Sequence, residues 1–213
     1  MADNFIDDLL EKLISIVSPR DAEGKVIAGD KEAATLLEEV KTKPLYPHAQ
    51  TVLSAAEKRP ESVTVYGSEN AVIPKYTPES KSFEAKPDNP ELEWLMKQMP
   101  NRGYYFPTEQ KLYVNTDIYR KYSETARQYT FIHELGHFLH ILNADPAEAK
   151  KIEGLDREDI ANLLALRQTP KDRQMQPKQT KAFEELWKSV FGFGFTPKYA
   201  KEQYDYIEKE KRR

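Results

Sequence analysis

The chain of 213 residues contains no cysteine. This excludes a disulfide framework and a zinc site with thiolate ligands, which leaves histidine and carboxylate side chains as metal ligands. No apolar run reaches the about 20 residues that a membrane-spanning helix needs. The first residues are acidic before they are apolar, whereas a secretory signal begins with basic residues. Together these absences predict a protein that is cytoplasmic, or one that is released without a classical signal peptide.

The chain also lacks a large excess of charge of one sign. The formal net charge is −3, and acidic and basic residues are interspersed along the chain. No basic patch is evident, so neither nucleic acid nor a membrane surface is an expected partner. The length allows one domain or two small ones, with a core large enough to need no covalent staple.

Against this background one motif stands out. His133, Glu134 and His137 form an HExxH pattern. Residues four apart on a helix lie one above the other, so both imidazoles could bind one Zn²⁺, and the glutamate could reach the water of that metal as a general base. Residues 123–142 contain no proline and carry apolar residues at intervals of three or four, which predicts the required helix. We therefore expect one Zn²⁺ per chain.

Two other residues in the same predicted helix carry information. Glycine costs about 1 kcal/mol relative to alanine in a helix interior, so Gly136 indicates the close approach of another backbone or of the substrate. His140 lies seven residues after His133, close to two full turns, and shares the ligand side of the helix. We expect His140 to line the cleft or to support a ligand rather than to bind the metal.

The remainder of the chain predicts short elements around this helix. Residues 4–17 have the apolar spacing of an amphipathic helix, which could pack on the domain or pair with a protein partner. A polar turn is expected at 24–30, and His48 is interpreted as a loop histidine. Residues 1–60 are interpreted as a helical region packed on a catalytic domain at 61–213, the two forming one compact unit. Further helices are predicted at 31–43, 51–58, 91–98, 158–167, 180–191 and 197–209, and strands at 62–66, 71–73, 103–106 and 112–115.

A catalytic zinc site needs a third protein ligand, with the fourth position open for water. We favour Glu185, because it lies at the edge of a late helix that otherwise packs through phenylalanine and tryptophan. Glu184 and Glu158 are the alternates. The other acidic residues considered are Glu153 and Asp159.

The order of these elements resembles the catalytic domain of the anthrax-lethal-factor-like zinc metalloproteases, over roughly 103–207. The resemblance implies an α+β, zincin-like metalloprotease fold: a small twisted mixed sheet, an active-site helix and C-terminal helices. In zincins a strand just before the motif helix commonly forms the upper rim of the cleft, and residues 112–115 are the candidate. They could equally be an ordinary sheet strand whose tyrosine and valine face the core, and the two interpretations are compatible. The segments that carry the resemblance are Phe131-Ile-His-Glu-Leu-Gly-His, Phe183-Glu-Glu-Leu-Trp-Lys-Ser-Val-Phe and Pro197-Lys198. The resemblance implies that His133, His137 and Glu185 bind the zinc and that Glu134 is the general base.

The chain departs from that family at two positions. Ser189 stands where a second acid is expected, one turn after the late ligand. Pro177 and Lys178 occupy the region in which that family has a tyrosine that helps to hold the developing oxyanion. That role would then fall to Tyr104, Tyr105 or Tyr199, or catalysis is impaired.

A second resemblance places the third ligand nearer to the motif. Glu158-Asp-Ile-Ala-Asn is similar to a segment of small intracellular zincins that act on repressor regulators, although Ile160 stands where their acid is expected. We expect a zinc-dependent metalloendopeptidase that hydrolyses a protein or peptide substrate through a zinc-activated water. The alternatives are a repressor-regulating zincin, and a non-catalytic zinc-binding structural or regulatory module, for example in a phage particle.

Overall fold

The computed structural model describes residues 25–67, 76–77, 82–83, 103–106, 110–114, 123–143 and 154–211. Within these ranges the chain forms a mixed α/β structure of six helices and six strands. None of the described helices is long and apolar enough to cross a membrane. The helices are α1 (Lys31–Thr42), α2 (Pro47–Glu57), α3 (Glu124–Asn143), α4 (Arg157–Leu164), α5 (Pro177–Phe191) and α6 (Pro197–Lys211). The strands are β1 (Val26–Ala28), β2 (Val63–Tyr66), β3 (Tyr76–Thr77), β4 (Ser82–Phe83), β5 (Gly103–Phe106) and β6 (Lys111–Val114).

Four of the strands form one sheet, in the order β1-β2-β6-β5. β1 pairs parallel to β2, and β2 pairs parallel to β6. β5 pairs antiparallel to β6 and lies at the edge of the sheet. β3 and β4 form a separate antiparallel pair. The mixed sheet that the sequence predicts is therefore present, and its antiparallel edge strand directly precedes β6 and the motif helix in the chain.

Several strand predictions are confirmed and two are corrected. The paired strands before the motif helix are β5 and β6. Residues 112–114, however, belong to β6, which is paired on both sides, so the edge of the sheet is β5 and not the predicted rim strand. The turn predicted at 24–30 is wrong for Val26–Ala28, which forms β1. The predicted elements at 4–17, 71–73 and 91–98 lie outside the described residues.

The start of α1 shows how a single acidic side chain joins two elements. Asp30 caps the helix by accepting the Ala33 N–H through Oδ1 at 2.8 Å. Its Oδ2 accepts the Gly67 N–H at 2.7 Å, at the end of β2. Because β1 also pairs with β2, residues 25–59 are joined to the sheet both by this carboxylate and by a strand.

The motif helix α3 forms the centre of the core. It packs against β5, β6, α1, α2, α4 and α5. Apolar side chains are buried on several sides of this helix, the pattern of a helix enclosed by its neighbours rather than one lying on a surface. The fully buried apolar residues of α3 are Phe131, Ile132, Leu135, Phe138 and Leu139.

The C-terminal helices cover the far side of the core. α5 buries Phe183, Leu186, Trp187 and Val190, the apolar face that its sequence predicts. It ends at Gly192, which has φ +77°, a left-handed conformation that glycine adopts without steric cost. The predicted helix and its end are therefore confirmed.

Candidate metal centre

The HExxH motif lies within α3, as its apolar spacing predicts. His133 and His137 are 5 % and 9 % exposed, and their ring centroids are 4.8 Å apart at an angle of 90°. The four-residue spacing places them on one side of the helix. Two imidazoles are thus held close together inside the protein.

Glu158, in the first turn of α4, completes the cluster. Its Oε2 accepts a hydrogen bond from Nε2 of His133 at 3.1 Å. Its Oε1 lies 3.2 Å from Nε2 of His137. Each carboxylate oxygen therefore faces one imidazole. The Glu158 side chain is 70 % exposed, so the cluster combines two buried histidines with an acid at the surface.

Close packing of α3 on α4 brings Glu158 to the histidines. A Cβ built on Gly136 would lie 3.1 Å from the Ala161 carbonyl oxygen and 3.2 Å from the Ala161 Cα. Glu158 lies three residues before Ala161, on the same side of α4, and His133 lies three residues before Gly136. The prediction that another backbone approaches Gly136 is confirmed, and that backbone belongs to the helix that carries the acid.

Polar contacts fix the start of α4 around Glu158. Asp156 caps the helix by accepting the Asp159 N–H through Oδ1 at 2.7 Å. Nε and Nη2 of Arg173 each donate a hydrogen bond to one carboxylate oxygen of Asp159, with nitrogen–oxygen distances of 2.7 Å. Glu158 is the second residue of the helix, in the first turn, where the helix dipole favours a negative charge.

The three charged groups of the site alter one another's pKa. Hydrogen bonds from His133 and His137 hold the pKa of Glu158 well below its usual range. Burial is the largest single effect on His137 and lowers its pKa, but the hydrogen bond to Glu158 and the negative charges of Glu134 and Glu158 together outweigh it, so the pKa is raised. Burial raises the pKa of Glu134, although the neighbouring His133 and His137 oppose the rise.

This donor set fits a metal ion. The ligand atoms of His133, His137 and Glu158 all lie within 4.8 Å of one another. Two imidazole nitrogens and one carboxylate oxygen are ligands that zinc accepts, and two atoms bound to tetrahedral zinc at about 2.0–2.1 Å lie about 3.3 Å apart. The nitrogen–oxygen separations of 3.1 and 3.2 Å are close to that value. Because metal ligands must be deprotonated, a metal bound here would displace the imidazole protons that the hydrogen bonds to Glu158 require.

Glu134 is held between the two histidines and the edge strand. It is 5 % exposed. A Cβ built on Gly103 of β5 would lie 2.6 Å from Thr130 Cγ2 and 2.9 Å from Glu134 Cγ. Only glycine at 103 lets β5 approach α3 this closely, so the edge strand lies directly against the predicted general base.

The structure places Glu185 outside the cluster. Both Glu184 and Glu185 are exposed on α5, which buries the opposite side of the helix through Phe183, Leu186, Trp187 and Val190. Glu158, the alternate ligand, takes the position for which Glu185 was favoured. The other nearer candidate, Asp159, pairs with Arg173 instead, and Glu153 lies outside the described residues.

The candidate oxyanion tyrosines have other surroundings. Tyr105 is buried, and its ring centroid lies 5.6 Å from that of Phe138. Gly103 and Tyr105 face α3, so Tyr104 faces the opposite side of the sheet, because side chains alternate along a strand. The hydroxyl of Tyr199 lies 2.9 Å from Nδ1 of His48.

Two further histidines are fully buried. His140 lies beyond the cluster on α3, and within the described part of the chain neither of its ring nitrogens has a hydrogen-bond partner. Burial lowers the pKa of His140 to about 4. The prediction of a loop histidine at 48 is wrong. His48 lies in the first turn of α2, and its Nε2 donates to the Leu164 carbonyl at 2.7 Å.

Comparison with known protein families, with curated proteins and with solved structures finds no match to this chain.

Proposed function

We propose that this chain is a zinc-dependent metallopeptidase with a zincin-like fold, which hydrolyses peptide bonds in a protein or peptide substrate. The observation that carries the proposal is the convergence of His133, His137 and Glu158 beside the buried Glu134. A mixed sheet whose antiparallel edge strand lies against the motif helix supports the zincin-like fold.

The residues of the cluster divide the chemistry among them. Zinc bound there would lower the pKa of its water to about 7 and polarise the scissile carbonyl. Glu134 takes the proton of the attacking water and delivers it to the leaving amine. Burial raises the pKa of Glu134, which suits a carboxylate that must accept a proton and then return it. An extended peptide would add to the edge of β5 through main-chain hydrogen bonds.

The position of the third ligand bears on the kind of zincin. Glu158 lies on the helix that follows the motif helix, whereas the lethal-factor-like proteases take their acid from a late helix. This supports the resemblance to the small zincins that act on repressor regulators. On this proposal Glu158 itself is the ligand, two residues before the Ile160 position expected from that family.

A second candidate function has one observation in its favour. The ring of Tyr105 is buried against Phe138 and the Tyr199 hydroxyl bonds to His48, so the contacts of these two tyrosines do not identify a group that stabilises an oxyanion. A zinc-binding structural or regulatory module without turnover would need no such group.

One assay separates the two functions. The purified protein is incubated with an unfolded casein-like substrate, with and without a chelator, beside the variant Glu134→Gln. A peptidase cleaves the substrate, stops with the chelator, and loses at least about 100-fold in rate in Glu134→Gln, since a general base contributes roughly 10²–10⁴-fold. Zinc content must stay at the wild-type level in that variant. Zinc binding without any cleavage would instead favour the non-catalytic module.

A further inference from the structure

Glu158 differs from the other residues of the metal centre in how it is held. His133 and His137 are buried on the central helix α3, whereas Glu158 lies on α4 with its side chain 70 % exposed. Packing around the side chain therefore does little to fix it. The location of the carboxylate depends on the backbone of α4, a helix of eight residues and about 12 Å.

The carboxyl end of α4 is hydrogen-bonded to two side chains at the start of α2, those of Tyr46 and His48. The last four carbonyls of a helix have no partner within it. In α4 three of them accept backbone N–H groups, and the fourth, that of Leu164, accepts Nε2 of His48 at 2.7 Å. The Tyr46 hydroxyl donates to the next carbonyl, that of Ala165. The three backbone bonds run from Ala165 to Ala161, from Leu166 to Leu163 and from Arg167 to Asn162, at 2.9, 3.1 and 2.8 Å.

The surroundings of His48 fix its orientation and its tautomer. A carbonyl can only accept, so Nε2 carries the proton and Nδ1 accepts from the Tyr199 hydroxyl at 2.9 Å. The Trp187 ring stacks on the imidazole with centroids 5.0 Å apart and planes at 9°. His48 is 0 % exposed. The late helices therefore hold His48, and His48 in turn holds α4.

We propose that His48 and Tyr46 are positioning residues for the metal centre: by holding the carboxyl end of α4 they place the Glu158 carboxylate against His133 and His137. This inference rests on the proposed metal centre. It assigns a role to two buried side chains that contact the carboxyl end of α4, whereas Glu158 lies at its amino end. Loss of the donor at 48 would leave the buried Leu164 carbonyl without a partner, so the end of α4 would have to move.

The test measures metal affinity rather than activity. Full-length variants are titrated with zinc against a chromophoric chelator. We expect His48→Leu to bind zinc about 10–100-fold more weakly, as is typical when a group that orients a ligand is removed. Tyr46→Phe, which removes one oxygen, should show a smaller loss. His48→Gln keeps a side-chain N–H donor and should recover most of the affinity.

Two controls separate positioning from general destabilisation. Val63→Ala removes buried volume from β2 and should lower thermal stability without changing zinc affinity. Cobalt(II) absorption, which reports the ligand set, should shift in His48→Leu toward the spectrum of Glu158→Ala and stay unchanged in Val63→Ala. In the double variant His48→Leu/Glu158→Ala, affinity should be no weaker than in Glu158→Ala alone, because the two residues act through one ligand.

The possible failures are distinguishable. Wild-type zinc affinity and an unchanged cobalt spectrum in both His48→Leu and Tyr46→Phe would overturn the positioning role and leave the metal centre intact. Additive losses in the double variant would overturn it as well. A wild-type chain that binds neither zinc nor cobalt would remove the metal centre itself. If His48→Leu does not fold, the zinc affinity and cobalt spectrum of Tyr46→Phe decide the question.

Discussion

Gly136 of α3 lies against the backbone of Ala161 in α4, with only 3.1 Å between the Ala161 carbonyl oxygen and the place where a Cβ would stand. That separation is too short for an ordinary methyl contact, and the neighbouring atoms are backbone atoms that cannot rotate away. The absence of one methyl group therefore sets the distance between the helix that carries both histidines and the helix that carries Glu158.

The first prediction follows from this contact. In Gly136→Ala the added methyl pushes α4 outward by a few tenths of an ångström and moves Glu158 with it, so zinc affinity falls severalfold. Stability changes little, because the gain of about 1 kcal/mol in helix propensity offsets the crowding. The matched control is Gly194→Ala, where a Cβ meets nothing within 4 Å. Equal zinc affinities in the two variants would contradict the proposed role of the glycine.

A second prediction concerns the general base. In Gly103→Ala the methyl would fall 2.6 Å from Thr130 Cγ2 and 2.9 Å from Glu134 Cγ, so β5 or the Glu134 side chain must shift. We expect a tenfold or greater loss of peptidase turnover with zinc still bound. The double variant Gly103→Ala/Thr130→Ser lacks the nearest clashing carbon and should recover part of the rate. A Gly103→Ala enzyme with full turnover would show that the approach of β5 does not matter to Glu134.

The third prediction is a pH dependence of stability. Burial lowers the pKa of His48 to about 4 in the folded chain, below the ordinary value of 6.5. Above pH 6.5 the imidazole is neutral in both states. As the pH falls from 6.5 toward 4, only the unfolded chain takes up the proton, so stability is lost by about 1.4 kcal/mol per pH unit. The Tyr199 hydroxyl beside it stays protonated throughout, since burial raises its pKa.

The measurement for this third prediction is denaturant unfolding of wild type and His48→Gln between pH 8 and pH 5. His140 also has a pKa lowered to about 4, so wild type alone cannot isolate His48. The variant keeps His140 and lacks His48, and its stability should therefore fall less steeply with decreasing pH. Parallel curves would mean that His48 does not titrate differently in the two states.

The local spacing of apolar residues was sufficient to predict the central helix α3. The spacing of apolar residues around His133 and His137 predicts α3, and the glycine at 136 predicts a close backbone. The identity of that backbone depends on how α4 docks, a contact between segments far apart in the chain. The apolar face of α5 is equally clear in the sequence, and the same spacing places Glu185 on the opposite side of the helix, so its exposure to solvent was predictable from local pattern.

His48 shows a signal that the sequence contains and that was assigned to the wrong structure. The interpretation of His48 as a loop histidine overlooks Pro47, since proline is favoured at the first position of a helix because its missing N–H is not needed there. α2 begins at Pro47, which places His48 inside the first turn. Its burial against Trp187 and Leu164 joins three distant segments, and no local pattern carries that information. Strand β1 is only three residues long, which is too short for an alternating pattern to indicate a strand.

The most direct test of the account is the zinc content per chain of wild type, Glu158→Ala and Glu185→Ala, measured by elemental analysis after dialysis against a low zinc concentration. The account predicts one zinc per wild-type chain, an equal content in Glu185→Ala, and little or none in Glu158→Ala. Zinc lost from Glu185→Ala and retained in Glu158→Ala would contradict the ligand set of His133, His137 and Glu158. A wild-type chain that takes up no zinc would contradict the metal centre as a whole.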